Sequence, residues 1–286
     1  AAMRKLTLII GSGLFAVGCS WNAAAILDDA PSAEVEACIA DPDRPRTADA
    51  GALDKAGFSI VNWNIQKGRD ARWISDLQAV HSVPDLLILQ EASPTSDAWN
   101  VVAPNHFRSF AAGFGFGGTT SGVVTASSAQ PLLECRLAAF EPWLGTPKAT
   151  LITEYALADT ASTLLVVNIH GINFSFGVQD MREQLLKAAA IIERHDGPVL
   201  FSGDFNTWRE GRAQIVDDIV NRLGLVALDY EIDHRKKVFG WALDHIYVRG
   251  LETVYATSVD LESSDHNPMA VKLRLGPNVE TSEVVL

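Results

Sequence analysis

At 286 residues and 48% hydrophobic composition, the chain is long enough to bury a full core in one domain, and it shows no solenoid-type repeat. A formal net charge of −12 excludes a globally cationic surface, so a nucleic-acid substrate would need a local basic groove or a bound metal. Three cysteines, with no Cys/His set at zinc spacing, exclude a structural zinc centre.

Arg4 and Lys5 precede an apolar run, Leu6 to Val17, that is too short to span a bilayer comfortably. This reads as a secretory signal within residues 1–25, and two processing sites fit it. Ala16-Val17-Gly18-Cys19 resembles a lipoprotein site that would lipidate Cys19, with Ala16 where a leucine is usual. Ala23-Ala24-Ala25 is the small-x-small alternative. Either predicts export: to the periplasm, to the outer membrane as a lipoprotein, or to the medium. Residues 26–57, rich in Ala, Asp and Pro, read as a tether or an ordered arm with a short helix around Ala33 to Ala40. In an oxidising compartment Cys38 and Cys135 either form a disulfide tying this segment to the body or remain two buried thiols.

Strand-like and helical stretches then alternate. Val61-Asn62-Trp63-Asn64-Ile65 is an apolar strand carrying Asn64. Arg69 to Ser82 has Trp73, Leu77 and Val80 at helical spacing, which predicts a helix laid on a sheet. Pro84 to Gln90 is a second strand-like run, ending on Glu91. Gly113 to Thr120 is glycine-rich, with Phe114 and Phe116 between the glycines. A strand-like Ser121 to Ala126 follows it, so it is no phosphate-cradling loop before a helix; it reads as a hairpin connection or a flexible loop beside an active site. Glu141 and Lys148 bracket the rigid Pro142–Pro147 segment, a candidate cleft wall but not a catalytic element. Leu164 to Ile169 is a third apolar run, ending on His170.

Asp180 to His195 predicts a helix with Met181, Leu185, Ala188, Ile191 and Ile192 as its buried stripe, and Glu210 to Leu223 another with Ile215, Ile219 and Leu223 facing inward. Between them, Pro198 to Phe201 reads as a buried strand that stops at Gly203. It delivers Asp204 and Asn206 two residues apart on an extended backbone, hence on one side. Arg235-Lys236-Lys237, a short basic run, reads as a solvated loop. Ala242 to Val248 buries Asp244 and turns the adjacent His245 the opposite way, as a packing or surface histidine. Ser263-Ser264-Asp265-His266-Asn267-Pro268 comes just before a last strand.

Taken singly, an Asp or Asn after a strand is usually a turn former. Six such features in this order form a pattern. It resembles the endonuclease/exonuclease/phosphatase superfamily, metal-dependent phosphoesterases with a DNase I-like fold, from about Phe58 to Leu275. Gly203-Asp204-Phe205-Asn206 and Ser264-Asp265-His266-Asn267-Pro268 carry most of the resemblance, while Asn64 and Glu91 fall where the family expects them. The stretch Asn168-Ile169-His170-Gly171-Ile172-Asn173-Phe174 looks like a bacterial group described only as family proteins. The resemblance implies an α/β fold, a four-layer α/β sandwich with two facing mixed sheets flanked by helices, over residues 58–275 with a tail at 276–286.

It also implies roles. Asn64, Glu91 and Asp265 would hold or support a metal. Asp204 would orient or deprotonate the attacking water, and Asn206 would hold the water or the phosphate. His266 would contact the scissile phosphate or act as general base, with Asp244 accepting its other ring proton. His170 and Asn173 would touch the phosphate, and Arg182 would reach substrate from its helix or lie on an exposed helix face. Family members often carry an acid where Gln66 stands here. Oxygen ligands and a need to keep bound water point to Mg²⁺, with Mn²⁺ as substitute.

The expected chemistry is in-line hydrolysis of a phosphodiester. The first substrate reading is DNA or RNA, cut by an exported endonuclease. The alternative keeps the chemistry and takes phospholipid headgroups or phosphoinositides, with Phe114 and Phe116 facing lipid. A non-catalytic binding lipoprotein is the third reading, against which the intact acid, amide and histidine set argues. A monomer is expected, held to membranes through lipidated Cys19 if at all.

Overall fold

Strands buried on both faces read as near-continuous apolar runs, and the runs at 86–89, 164–167 and 199–201 are buried throughout. The computed structural model describes residues 32–39, 51–116 and 119–277. The signal at 1–25, Cys19, Phe116's side chain and most of the C-terminal tail therefore lie outside the described residues. In chain order come α1 (Ala33–Ile39), β1 (Phe58–Asn64), α2 (Trp73–Val80), β2 (Leu86–Ala92), α3 (Trp99–Val102), β3 (Phe107–Phe116), β4 (Thr119–Ser127), β5 (Leu133–Phe140), β6 (Pro147–Ala156) and β7 (Thr163–His170). There follow α4 (Gln179–Ile192), β8 (Val199–Asp204), α5 (Glu210–Arg222), β9 (Val226–Ala227), β10 (Lys237–Val238), β11 (Trp241–Ala242), β12 (Asp244–Arg249), β13 (Leu251–Ser258) and β14 (Met269–Leu275).

Two six-stranded mixed sheets result, ordered β13-β14-β1-β2-β4-β3 and β5-β6-β7-β8-β12-β9, with β10-β11 as a separate hairpin. Each holds one parallel pair near its centre, β1 with β2 and β7 with β8. Alternating side chains define four layers. Phe58, Ile60, Leu86 and Ile88 meet Leu164, Val166, Leu200 and Ile246 between the sheets. The next residues along, Val61, Trp63, Leu87 and Leu89, pack on Trp73 and Leu77 of α2 and on Trp99 of α3. Likewise Leu165, Val167 and Phe201 pack on Met181, Leu185 and Ile192 of α4 and on Val216 and Ile219 of α5. This is the α/β sandwich the resemblance implies.

The apolar middle is interrupted by one amide network. Gln90 Nε2 donates to Asn62 Oδ1 at 3.0 Å and to Asn168 Oδ1 at 2.8 Å, while Asn168 Nδ2 donates to the Val124 carbonyl at 3.0 Å. All three side chains are buried, so the network fixes how the sheets stack.

Local differences from expectation have local causes. The helix expected over 69–82 spans only Trp73–Val80: residues 70–72 form the turn that leads into it, and His81 is already extended with φ −158° and ψ 124°. On α5, Ile215 is half-buried, and the inward stripe runs instead through Arg212, Val216 and Ile219. Gly113–Phe116 extends β3 and pairs with β4, so the glycine-rich stretch is a hairpin arm. The N-terminal segment is an ordered arm at α1: Cys38 is bonded to Cys135, Val35 is buried, and Glu34 accepts from Lys187 Nζ at 2.9 Å.

Candidate active site

The second sheet gathers three site residues at one edge by register alone. His170 pairs with Asp204 across the parallel β7–β8 ladder, and Asp204 with Asp244 across β8–β12. Asn64 ends β1 and Glu91 lies near the end of β2, so the corresponding edge of the first sheet supplies the other half. His266 comes from the loop before β14, held by Trp63 Nε1 donating to its carbonyl at 2.9 Å and by Ser264 Oγ accepting from its backbone N–H at 3.2 Å.

Asp204 is the hub and is buried. Its Oδ1 accepts the Asn206 N–H at 2.9 Å, and its Oδ2 accepts from Asn64 Nδ2 at 3.1 Å and Asn206 Nδ2 at 3.2 Å. The same Oδ2 lies 3.5 Å from His170 Nε2 and 3.8 Å from His266 Nε2. On the other side of its ring, His266 Nδ1 lies 2.7 Å from Asp244 Oδ2. That is the dyad expected, and it fixes the ring through Nδ1 while leaving Nε2 directed at Asp204.

Electrostatics separates the two histidines. Burial acts to lower His266, but the carboxylates of Asp244 and Asp204 lift it to about 10, so the ring is an imidazolium at neutral pH. His170 is pushed well below its ordinary value by burial, then by Lys148, His266 and Lys67, and stays uncharged. Its Nε2 lies 2.6 Å from Lys148 Nζ, where a neutral imidazole accepts from an ammonium. Burial also raises Asp204, which makes it a stronger base than an ordinary carboxylate. Two like side chains held in opposite charge states form the usual signature of divided acid and base roles.

Glu91, Asn64 and Asp265 take different positions. Glu91 stands half-buried with φ 53°, its carboxylate 3.8 Å from Lys67 Nζ and 3.9 Å from Nε2 of the uncharged His170. Among the described residues no hydrogen bond closes its carboxylate, which suits it to a hard ion. Asp265 is exposed and accepts from Gln66 Nε2 at 2.9 Å, so the residue standing where relatives often have an acid is a partner of this aspartate. Asn64 uses both ends of its carboxamide internally, accepting the Gln66 N–H at 3.1 Å while donating to Asp204. Its visible work is orienting Asp204. Asp204, Asp244 and His266 also lie close enough together to gather an ion, with ligand atoms within 4.8 Å of one another. Direct coordination there would compete with the His266–Asp244 hydrogen bond, so the Glu91 carboxylate, which accepts no hydrogen bond among the described residues, fits a divalent metal better.

Asn173 belongs to the site wall. Its Oδ1 accepts from Trp208 Nε1 at 2.9 Å, and among the described residues its amide nitrogen makes no hydrogen bond. Arg182 is half-buried on α4, and among the described residues no hydrogen bond or ion pair ties it to the cluster. His245 is a packing residue: its ring stacks on Tyr247 at 5.5 Å, and burial drops it to about 4.

Sequence reasoning passed over three residues. Lys148, set aside as cleft wall, lines a cavity of about 390 Å³ together with Lys67, Glu91 and His170. Buried Glu141 accepts the Asn173 N–H at 3.0 Å and Thr146 Oγ1 at 3.0 Å, and so shapes the loop after His170. Fully buried Arg212 donates to the carbonyls of Asn206, at 2.6 Å, and Ile172, clamping the two loops that carry Asn206 and Asn173. The one available signal was an arginine at the inward spacing of α5.

A model of the Endonuclease/Exonuclease/phosphatase family matches residues 61–266. A UPF0294 protein of Vibrio vulnificus is 35% identical over 234 residues, covering 78% of this chain and 80% of that protein. Among solved structures, an endonuclease/exonuclease/phosphatase from Beutenbergia cavernae superposes with a TM-score of 0.60 at 15% identity, covering 77% of this chain and 72% of that one. A mannosyl-6-phosphatase of Bacteroides thetaiotaomicron does so with a TM-score of 0.58 at 16% identity, covering 76% and 99%. Both share the fold.

Proposed function

The chain belongs to the endonuclease/exonuclease/phosphatase family, whose members are phosphoester hydrolases typically dependent on divalent metal, and from that premise we propose an exported, Mg²⁺-dependent phosphodiesterase. The observation that carries the proposal is the position of Asp204, buried and within 3.8 Å of both a charged and an uncharged histidine.

Mg²⁺ held by Glu91 and Asp265 would supply charge neutralisation at the phosphate. The protein's own groups do the rest. Asp204 orients the water and takes its proton, a task suited to a carboxylate whose proton affinity burial has raised. Asn206 and Asn64 hold that carboxylate in place. Imidazolium His266 stabilises charge on a phosphoryl oxygen, and Asp244 keeps the ring charged and oriented. Neutral His170, fixed by Lys148, and Asn173 contact the phosphate from the opposite wall.

DNA or RNA is the first substrate class to assay. A phospholipid headgroup is the second, favoured by one observation: exposed aromatic side chains, Phe114 and Phe174, line the cavity beside Glu91 and His170. Export is supported by the Cys38–Cys135 disulfide, a bond suited to oxidising compartments. The test is hydrolysis of plasmid DNA and of bis-p-nitrophenyl phosphate with Mg²⁺, repeated with EDTA, His266→Ala and Asp204→Ala. Loss of turnover in all three is expected; near-wild-type turnover by either folded variant would sink the assignment.

A further inference from the structure

The two-residue turn of the β10–β11 hairpin is Phe239-Gly240, with φ of 51° and 88°. Asn, Asp or Gly normally fills the first position of such a turn, because a bulky side chain at positive φ meets its own backbone. Here a phenylalanine holds it and is 85% exposed. Neither local conformation nor packing favours that choice, so its use lies outside the folded chain.

Phe239 is not isolated. Among the described residues the exposed Phe and Trp side chains are Phe114, Trp143, Phe174, Phe176, Phe239 and Trp241, with Phe140 at the end of β5. The strand registers bring the segments that carry all of these but Phe114 to one end of the second sheet. Phe140 pairs with Pro147 at the β5–β6 turn, and Thr150 of β6 pairs with Ile169, next to His170. His170 pairs with Asp204 and Asp204 with Asp244. The loop at 141–146, the loop at 171–178 and the hairpin before Asp244 therefore all leave the second sheet at the edge that carries the site. Phe114, Leu144 and Phe174 line the same cavity as Glu91, Lys148 and His170, and the Trp143 and Phe176 rings touch with centroids 3.9 Å apart. Exposed large side chains elsewhere are Val and Ile: Val83, Val101, Val226, Ile232 and Val254.

We infer that this aromatic fringe docks the protein on a lipid bilayer, so that the site takes a phosphoester presented at the membrane surface. Aromatic side chains around a cleft are what an interfacial surface needs, since they bury apolar rings at headgroup depth. Nucleic acid could also stack on aromatics, but it requires a cationic track beside them. The lysines at the hairpin's base are each matched by an acid, Lys236 with Asp260 at 3.6 Å and Lys237 with Asp233 at 3.4 Å. With a net charge of −12 besides, the fitting surface is a zwitterionic bilayer. The inference rests on the phosphodiesterase reading of the site for its substrate, but the docking surface is tested apart from turnover.

The experiment uses the full chain with Cys19→Ser, so that no lipid anchor contributes, and an environment-sensitive dye on Phe239→Cys or, as reference, on Val254→Cys of β13. Phosphatidylcholine vesicles are added in EDTA. The dye at 239 should shift to the blue on vesicle addition and the dye at 254 should not. Phe239→Asn with Trp241→Ser should weaken vesicle binding about tenfold while leaving hydrolysis of soluble bis-p-nitrophenyl phosphate within about twofold of wild type. Asn tolerates the turn's φ, so the variant is expected to fold. No shift at 239, equal shifts at both positions, or a shift produced by single-stranded oligonucleotide and not by vesicles overturns the docking surface. A shift at 239 in a protein that fails to cleave bis-p-nitrophenyl phosphate leaves docking supported and refutes the phosphodiesterase reading instead.

Discussion

Replacing Asp244 by Asn keeps the shape of the residue facing His266 and removes its charge. In the wild type the two atoms lie 2.7 Å apart, both side chains are buried, and the imidazole is lifted from 6.5 to about 10. A raised value in the folded state stabilises the protein fully below the ordinary histidine value, and the effect is lost as pH rises through about 10. The lift alone corresponds to about 5 kcal/mol as an upper bound, which the cost of burying Asp204 and Asp244 offsets in part. Asp244→Asn should therefore lower unfolding free energy by about 2–4 kcal/mol at pH 6, with the gap between variant and wild type closing as pH approaches 10. Urea melts at pH 6, 8 and 9.5 measure this. In the same variant kcat/KM should fall about 10²–10⁴-fold, because His266 loses both its charge and its orientation. A folded variant with a pH-independent stability difference, or with near-wild-type turnover, would refute the assignment of the dyad.

Lys148→Met should lower kcat/KM about 10²-fold and let the His170 value climb, seen in its NMR titration, since Lys148 is the largest charged contribution depressing it. His245→Ala should cost about 1–3 kcal/mol of stability in urea melts and leave kcat/KM within a few-fold, as the ring stacks on Tyr247 and its Nε2 lies 2.6 Å from Thr207 Oγ1, contacts that hold the fold and touch none of the site's acids. Reducing the Cys38–Cys135 bond, which spans 97 residues, should cost about 2–5 kcal/mol, measured by urea unfolding with and without reductant.

Much of the site was legible because strand ends leave a plain mark in sequence. An apolar run that stops on Asp204, His170 or Glu91 is burial followed by exposure to a cleft, and two-residue alternation turned His245 away from Asp244 correctly. Lys148 and Glu141 were bracketed as wall and no more, because their importance is a distance across β6 and β7 that no spacing along the chain encodes. Arg212 was invisible for a different reason. A buried arginine is so rare that helical periodicity assigns the position to solvent, unless two backbone carbonyls wait to receive it. For Asn64 the resemblance implies a metal support, and what only the structure shows is that its amide also donates to Asp204 and accepts from the Gln66 N–H.

The backbone itself shows where the fold has been shaped for chemistry. Gln66, Lys67, Glu91 and Asn206, all at or beside the site, hold positive φ, a region that costs a non-glycine residue of order 1 kcal/mol or more. At Asn206 the choice of residue eases that cost, since a short amide tolerates the left-handed region and here bonds back to Asp204 at 3.2 Å. Glu91 has no such local help. Its φ of 53° coincides with a register shift in the β2–β4 ladder between Gln90 and Ala92, so the strand carries one residue too many at this point. A bulge of that kind re-aims a side chain. With Gln90 and Ala92 both fully buried, regular pleating would leave little room for a carboxylate between them, whereas the bulge turns Glu91 out to the cavity beside His170. The acid that sequence placed at a strand's end is thus held at the cleft by a local break in the sheet, and its position follows from that break as much as from its identity.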